Sequence, residues 1–203
     1  MSKKVLLFLA QGFEAYEASV FTDVIGWSRE VGLNPVDLVT TGLRLELNCC
    51  WNLIVKPELA FDQIKVDDFD ALAIPGGDET AGFLEDVYDK RFLDLIKEFD
   101  KKGKIIASIC VAALPIGKSG VLKDRNATTW DLSGGKRRKE LAEFGALVED
   151  KPIVIDKNII TSTGPATGLD VAFHLLEMLT DSKNVDEIKK NMRFKVDKKI
   201  KSK

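Results

Sequence analysis

The chain has 203 residues, of which 45% are hydrophobic and 31% are charged, and only 6 are proline. This composition is typical of a globular protein and excludes the disordered, collagen-like and disulfide-scaffold classes. Because 30 lysine and arginine residues nearly balance 32 aspartate and glutamate residues, the net charge of -2 offers no attraction to nucleic acid or to an anionic membrane, and neither is expected as a partner.

The cysteine content indicates a reducing compartment. Three cysteines cannot all pair, and a disulfide between the adjacent Cys49 and Cys50 would close a strained ring. The apolar run at residues 5–10 is too short for a signal-peptide core, and no other stretch approaches a membrane span. We therefore predict a cytoplasmic protein in which Cys49 and Cys50 are buried packing residues, with a redox role for them as the less favoured alternative.

The first half of the chain alternates between strand-like and helix-like patterns. Its strand-like runs are mostly apolar, which is typical of strands covered on both faces, whereas the first helix has helically spaced apolar residues and ends at Gly32. In chain order the predicted elements are a strand at 4–9, a helix containing Val20, Phe21, Val24 and Ile25, a strand at 36–39, one or two extra strands within 43–55, and a strand at 70–74.

The second half continues this alternation. A helix at 89–101 has a single apolar stripe, and lysines followed by Gly103 close it, as the helix dipole favours. The elements predicted after it are a strand at 104–107, a helix at 111–116, a short strand at 127–129, a polar helix at 132–144, a hairpin of residues 153–155 and 159–161, and a last helix with Leu169, Ala172, Phe173 and Leu176 in its core stripe.

Strands that alternate with helices predict an α/β fold with a mostly parallel sheet covered on both faces. We expect one domain at residues 1–190 and a charged carboxyl-terminal tail at 191–203. In such a sheet, ligands bind beyond the carboxyl ends of the strands. The functional site is therefore expected in the loops after Ala10, Ile74, Ala107, Thr129 and Thr161.

Cys110 is the first candidate catalytic residue. It follows a buried strand and begins a helix, which is the arrangement of a nucleophile elbow. Helix amide groups and the positive end of the helix dipole favour the thiolate, the reactive form of cysteine. The alternative is a small buried hydrophobic residue, the usual role of a free cysteine, and the local context alone favours neither.

Glu14 and Glu17 lie in the loop after the first strand, at the same rim of the sheet as Cys110. A carboxyl group buried beside a thiol can hydrogen-bond to it and carry its proton. Taken alone, however, glutamates at this position more often complement a helix dipole.

The glycine pair Gly76-Gly77 ends another strand and lets backbone amides approach a ligand closely. With the amide of Val111, these amides can form an oxyanion hole, although a simple tight turn is the alternative. No phosphate-binding glycine motif is present. His174, the only histidine, is expected to be structural, and without a CxxC pair we expect no metal and no cofactor.

Four segments together resemble the DJ-1/ThiJ/PfpI family of the class I glutamine amidotransferase-like superfamily: AQGFEAYE at 10–17, AIPGG at 73–77, ASIC at 107–110 and TSTGP at 161–165. The resemblance covers nearly the whole chain, to about residue 190. It implies a flavodoxin-like three-layer α/β/α sandwich and a homodimer. It also implies that Cys110 is the elbow cysteine, that Glu17 hydrogen-bonds to it, and that Gly77 and Val111 are the amide donors.

The chain departs from the pattern of that family at three positions. Val111 stands where peptidase members have histidine, Trp130 where DJ-1-like members with glyoxalase activity have histidine, and Thr163 where many have arginine. These departures disfavour peptidase and glutaminase activity and remove the usual proton carrier of a glyoxalase. Trp130 is expected either to fill the core or a dimer interface, or to narrow the pocket beside Cys110.

The sequence leaves three hypotheses of function open, of which the first is favoured. The first is a cofactor-independent enzyme in which Cys110 is the nucleophile and Glu17 the general acid and base, acting on a small carbonyl compound or similar electrophile by hydratase, glyoxalase-like or isomerase chemistry. The second is a non-enzymatic oxidation sensor in which Cys110 becomes a sulfinate held by Glu17 and nearby amides. A metabolite-binding scaffold is a third reading.

Overall fold

The computed structural model describes residues 2–132 and 135–195. Its strands are β1 Lys3–Phe8, β2 Val36–Gly42, β3 Leu47–Asn48, β4 Ile54–Val55, β5 Leu59–Ala60, β6 Ala71–Ile74, β7 Ile105–Ser108, β8 Asn126–Ala127, β9 Leu147–Val148, β10 Ile153–Asp156 and β11 Ile159–Ser162. Its α-helices are α1 Ala15–Val31, α2 Phe83–Val87, α3 Lys90–Lys101, α4 Ala113–Lys118, α5 Lys136–Glu143, α6 Gly168–Leu179 and α7 Ser182–Asn191.

A seven-stranded central sheet has the order β10-β11-β7-β6-β1-β2-β5. The pairs within it are parallel, except that β10 and β11 form an antiparallel hairpin. The predicted mostly parallel α/β sheet is therefore confirmed. Since β1, β6, β7 and β11 run in the same direction, the segments that follow them meet at one edge of the sheet.

Two hydrophobic layers hold the helices against this sheet. Strand β1 shows how they arise, because Val5 and Leu7 point to one face and Leu6 and Phe8 to the other. The first layer includes the buried sides of α1, α6 and α7, and the second those of α2, α3, α4 and α5. Phe8 stacks on Phe92 of α3 with ring centroids 3.6 Å apart. The chain thus forms the predicted three-layer sandwich.

Several of the elements predicted from the sequence match the structure, and others do not. The extra strands predicted within 43–55 are β3 and β4, which pair with each other, and the predicted hairpin is β10 and β11. The short strand β5 and the amphipathic helix α7 were not predicted. Helix α7 is polar apart from a few buried positions, among them Val185 and Ile188, so its apolar pattern is weak.

The strand predicted at 127–129 does not belong to the central sheet. Strand β8 pairs in parallel with β9 in a separate two-stranded sheet. It is attached to the hairpin through side chains, since the Asp156 carboxylate accepts from the Asn126 N–H at 2.8 Å and the Thr161 hydroxyl accepts from the Thr128 N–H at 2.9 Å. The antiparallel strand β10 already occupies the edge of the central sheet next to β11.

The polar helix predicted at 132–144 begins later, at Lys136, because Gly135 has a left-handed backbone with φ 73°. The Asp131 carboxylate accepts hydrogen bonds from the amides of Arg137 and Arg138 at 3.3 and 3.4 Å, which caps the helix start. Residues 133–134 of that prediction, and 196–203 of the predicted tail, lie outside the described residues. The division at residue 190 stays a prediction. No helix in the described ranges is both long and apolar enough to cross a bilayer.

Candidate active site

Cys110 lies at a sharp turn between β7 and a 3-10 helix at Cys110–Ala112. Its φ of 61° is in the left-handed region, which a residue other than glycine adopts at a cost of about 1–3 kcal/mol. The Cys110 carbonyl accepts two hydrogen bonds that hold this turn, from the Thr129 hydroxyl at 3.1 Å and from the Trp130 N–H at 3.3 Å. The strand-turn-helix arrangement of a nucleophile elbow is therefore present.

Glu17 reaches the same place from the first turn of α1. Its side chain is fully buried, and its Oε2 accepts a hydrogen bond of 2.7 Å from the Gly76 N–H. A Cβ atom added to Gly76 would lie 2.7 Å from the Cys110 Cβ and 2.8 Å from the Glu17 Oε2. Glycine at this position is what allows the carboxyl group and the cysteine to approach each other.

The pKa of the Glu17 carboxyl is raised to about 8. Burial is the main cause and the nearby charge of Glu14 adds to it, whereas hydrogen bonds from Gly76 and Cys110 lower the pKa and only partly offset the rise. Within the described part of the chain, Oε1 of Glu17 has no donor with standard hydrogen-bond geometry, although the Cys110 thiol interacts with this carboxyl group. At neutral pH the carboxyl group therefore holds a proton that it can donate.

Burial raises the pKa of the Cys110 thiol, the negative charge of Glu17 raises it further, and a hydrogen bond from the Val111 N–H lowers it. The two groups titrate as a pair. When Glu17 carries the proton, its repulsion of a thiolate disappears and it becomes a hydrogen-bond donor toward the sulfur. The net effect is a raised thiol pKa, so the expectation that the helix amides favour the thiolate is wrong, because burial outweighs them. Loss of one proton leaves a pair in which Glu17 and Cys110 can share the proton that remains.

One backbone amide contacts the sulfur, and a second residue, with an amide that no described acceptor engages, lines the cavity above it. The Val111 N–H points at Cys110, and Gly77 lines the same cavity. Gly77 forms an isolated antiparallel bridge with Phe13, in which the hydrogen bonds are made by the neighbouring residues, so its own N–H has no acceptor in the described part of the chain. A Cβ at Gly77 would lie 2.3 Å from the Phe83 ring, so this close packing requires glycine.

A cavity of about 320 Å³ opens above Cys110. Of the residues singled out from the sequence, Glu14, Gly77, Cys110, Val111 and Trp130 line it, whereas Glu17 and Gly76 lie behind the cysteine. Sequence reasoning missed the other lining residues, which are Cys50, Trp51, Asp78, Glu79, Thr80, Phe83, Leu84 and Arg137. Only Asp78, directly after the glycine pair, had a sequence signal that pointed to this rim.

The two adjacent cysteines have different environments, so the expectation that both are buried packing residues is wrong for one of them. Cys49 is buried, and its sulfur accepts from the N–H groups of Trp51 and Leu53 at 3.2 and 3.1 Å. Cys50 is half-buried and lines the cavity, and burial raises the pKa of its thiol to about 11. Unlike Cys110, it is not in contact with a buried carboxyl group of the described residues that could carry its proton.

Trp130 is half-buried and forms one wall of the cavity. The TSTGP segment supports it from behind, since a Cβ at Gly164 would lie 3.3 Å from the Trp130 Cδ1. Thr163 instead hydrogen-bonds to the Pro152 carbonyl at 3.4 Å. His174 lies within α6 and does not line the cavity. Among the described residues, no group of three or more histidine, cysteine or acidic side chains is placed to hold a metal ion.

Arg137 of α5 also lines the cavity. Its side chain is only 11% exposed and is held between Glu140, at 2.7 Å, and Glu79. Nothing in the sequence pattern separates Arg137 from the other basic residues of this polar helix, because its position in the cavity depends on how α5 packs against the sheet.

Comparison with known proteins agrees with this geometry. A model of the DJ-1/PfpI family matches residues 3–178. The chain belongs to the DJ-1/PfpI family. The resemblance inferred from the four sequence segments is thereby confirmed.

Individual members of the DJ-1/PfpI family match most of the chain. The Drosophila melanogaster protein dj-1beta is 28% identical over 193 residues, covering 95% of this chain and 97% of that protein. The crystal structure of Drosophila melanogaster DJ-1beta superposes with a TM-score of 0.83 at 26% identity, covering 97% of this chain and 100% of that one. An isonitrile hydratase of Pseudomonas putida is 30% identical over 159 residues, covering 71% of this chain and 64% of that protein.

Proposed function

We propose that this member of the DJ-1/PfpI family is a cofactor-independent enzyme acting on a small carbonyl compound or a comparable electrophile, with Cys110 as nucleophile and Glu17 as proton carrier. The observation that carries the proposal is the approach of these two residues at Gly76, whose amide hydrogen-bonds to Glu17 and whose position leaves no room for a side chain. A buried carboxyl group in contact with a thiol at the base of a cavity has the geometry for proton transfer.

The reactive form of the pair holds one proton between the two groups. The Cys110 sulfur attacks the electrophilic carbon, a carbon–sulfur bond forms, and the displaced π-electron pair moves onto the substrate oxygen or nitrogen. That atom faces the amides of Gly77 and Val111 and takes the proton from Glu17. Addition of water or rearrangement of the adduct, followed by release of the sulfur, completes the cycle, with Glu17 taking the proton back.

The other cavity residues support this assignment of roles. With valine at position 111 and tryptophan at position 130, no histidine stands beside Cys110, so Glu17 is the group left to move the proton. Trp130, Phe83 and Leu84 give the cavity an apolar wall, which suits a small substrate. The name of the Pseudomonas putida relative makes isocyanides one class of substrate to test.

The test is a screen of small aldehydes, ketoaldehydes and isocyanides with the purified protein and two variants. Cys110→Ser and Glu17→Gln are each expected to lower kcat/KM by about 100-fold or more, the usual contribution of such groups. Glutamine keeps an acceptor for the Gly76 amide. His174→Gln, on α6 away from the cavity, is the matched control. Unchanged rates in both site variants would refute the assignment.

A second candidate function, an oxidation sensor, is supported by Oε1 of a protonated Glu17, which has no partner of standard hydrogen-bond geometry among the described residues. In this reaction the Cys110 thiolate reduces two molecules of hydrogen peroxide to water and gains two oxygens, and Glu17 donates a hydrogen bond to the sulfinate. Intact-mass measurement at low peroxide tests it. Selective gain of two oxygens at Cys110, without turnover of any electrophile, would favour the sensor.

A homodimer in the cytoplasm is the assembly and location proposed for this function. The dimer is supported by the family resemblance and by exposed apolar side chains around the β3-β4 hairpin, namely Leu45, Trp51, Leu53 and Ile54. Light scattering after size-exclusion chromatography should give twice the monomer mass, and a monomer would contradict the dimer. Cell fractionation tests the location.

A further inference from the structure

The rim of the Cys110 cavity carries an excess of negative charge. Among the described residues, three carboxylates line it, on Glu14, Asp78 and Glu79, against the single guanidinium of Arg137. The formal sum over the lining side chains is therefore negative.

The one positive charge is already neutralised. Arg137 pairs with Glu79 and, at 2.7 Å, with Glu140, so two carboxylates compensate one guanidinium that is only 11% exposed. An anionic group of a substrate would have to compete with both carboxylates for Arg137. This makes Arg137 a poor receptor for a substrate carboxylate, although an arginine at a pocket wall commonly has that role.

Glu14 and Asp78 have no such compensation from the residues that the structure describes. Neither forms an ion pair with any lysine or arginine in the described ranges. Glu14 accepts neutral hydrogen bonds from the Trp51 indole at 3.0 Å and the Glu17 amide at 3.0 Å. Asp78 accepts from the amide and hydroxyl of Thr80, both at 2.7 Å. Neither carboxylate is therefore neutralised by a cationic side chain of the described residues.

Aromatic side chains complete the environment. Trp51, Phe83 and Trp130 line the same cavity as the two carboxylates. Ring faces attract cations, and carboxylates together with indole rings are the usual groups that recognise ammonium compounds. The indole of Trp51 is also held by its hydrogen bond to Glu14, which joins the two kinds of group in one wall.

We propose that the Cys110 cavity selects electrophiles that carry a positively charged amino or ammonium group and rejects anionic ones, and that Glu14 and Asp78 determine this specificity. This charge selection would define the substrate class of the proposed enzyme, and its biological meaning rests on that proposed function. The charge selection itself is a property of the cavity and can be measured without turnover.

The test uses three methanethiosulfonate reagents of similar size, which carry a trimethylammonium group, a methyl group or a sulfonate group. The cysteine thiolate attacks the sulfur that carries the charged or methyl group, a disulfide forms with that alkylthio group, and the bond to the sulfonyl sulfur breaks with loss of methanesulfinate. The protein used is the Cys50→Ser variant, so that Cys110 is the only thiol of the described residues that lines the cavity. Mass spectrometry with peptide mapping gives the second-order rate constant of each reagent at Cys110. Each rate constant is divided by that of the same reagent with 2-mercaptoethanol, which removes differences in intrinsic reactivity. At low ionic strength the normalised cation-to-anion ratio should be at least about tenfold, as expected for one or two charges at a partly solvated site. It should fall toward one in high salt.

Charge-removing variants assign the effect to particular residues. Asp78→Asn keeps the carbonyl oxygen that caps the Thr80 amide, and Glu14→Gln keeps the acceptor for Trp51, so each mainly removes one charge. Each should lower the cation-to-anion ratio by about threefold or more. Glu30→Gln is the matched control, because this exposed residue of α1 lies about 24 Å along the helix from Glu14 and should leave the ratio unchanged.

Three outcomes with the Cys50→Ser protein alone would overturn the inference. They are a normalised ratio within twofold of one, a ratio that favours the anionic reagent, and a Cys110 that reacts with none of the reagents. A ratio that Glu30→Gln changes as much as Asp78→Asn would also overturn it. A protein that shows the predicted ratio but turns over no electrophile would retain the charge selection and lose the proposed enzymatic function, so the two failures are distinguishable.

Discussion

The Glu17 carboxyl group accepts a 2.7 Å hydrogen bond from the Gly76 amide at a point where residue 76 has no room for a Cβ atom. This contact joins the start of α1 to the end of β6 and leaves Cys110, after β7, directly against the same glycine. The Glu17 carboxyl group and the Cys110 sulfur can approach each other because residue 76 has no side chain. The site is therefore expected to be sensitive to substitution of Gly76.

Gly76→Ala should therefore damage both stability and chemistry. The new methyl group would lie 2.7 Å from the Cys110 Cβ and 2.8 Å from the Glu17 Oε2, and overpacking of this kind costs about 1–3 kcal/mol. Urea denaturation and the alkylation rate of Cys110 measure the two effects. Gly26→Ala is the control, because its Cβ meets nothing within 4 Å inside helix α1, and it should stabilise the protein by about 0.5–1 kcal/mol. Equal behaviour of the two variants would contradict this account of Gly76.

The pH dependence of stability should reveal the buried carboxyl group. Because the pKa of Glu17 is about 8 in the folded protein, against 4.5 for an unperturbed glutamate in the unfolded chain, the folded state binds the extra proton between these values. This contribution is fully present below pH 4.5 and is lost as the pH rises toward 8, at up to about 1.4 kcal/mol per pH unit.

The test compares two proteins that lack the Cys110 thiol, the single variant Cys110→Ser and the double variant Cys110→Ser/Glu17→Gln. Their free energies of unfolding are measured at several pH values from 5 to 8, so that the difference reports the Glu17 carboxyl group alone. The double variant should gain stability relative to the single variant as the pH rises. Parallel stability curves for the two proteins would show that Glu17 is not held protonated by burial.

Trp130→Ala should widen access to Cys110 without releasing the elbow. The indole lines the cavity, whereas the hydrogen bond that holds the Cys110 carbonyl comes from the backbone amide of residue 130 and is kept. We expect a bulky maleimide to gain about tenfold in rate at Cys110 relative to iodoacetamide, because removing a large side chain opens a cavity. An unchanged ratio of the two rates would mean that Trp130 does not restrict the entrance.

Arg137→Met should destabilise the protein by about 1–3 kcal/mol, since it removes the partner of Glu79 and of the largely buried Glu140. Arg138→Met is the matched control on the same helix, because the Asp150 carboxylate that Arg138 pairs with is 85% exposed. Such a surface pair contributes about 0–1 kcal/mol. Thermal unfolding of the two variants compares them, and a smaller loss for Arg137→Met would show that its ion pairs are not stabilising.

The sequence by itself determined the alternation of strands and helices, the parallel sheet and the family. It also singled out Cys110, Glu17 and the glycine pair, because these signals are local: apolar periodicity, a cysteine directly after a strand, and motifs in a given order. Parallel strands bring their carboxyl ends to one edge, so even the approach of residues 17, 76 and 110 could be anticipated.

Only the tertiary structure decided the walls of the cavity and its charge. Cys50, Trp51 and Arg137 come from a short hairpin and a polar helix whose patterns are those of ordinary surface segments. Likewise, β8 leaves the central sheet because side-chain hydrogen bonds to the β10-β11 hairpin hold it, and such long-range contacts leave no periodic trace in the sequence. Local patterns specify the elements, whereas the packing of distant segments specifies which side chains face the sulfur.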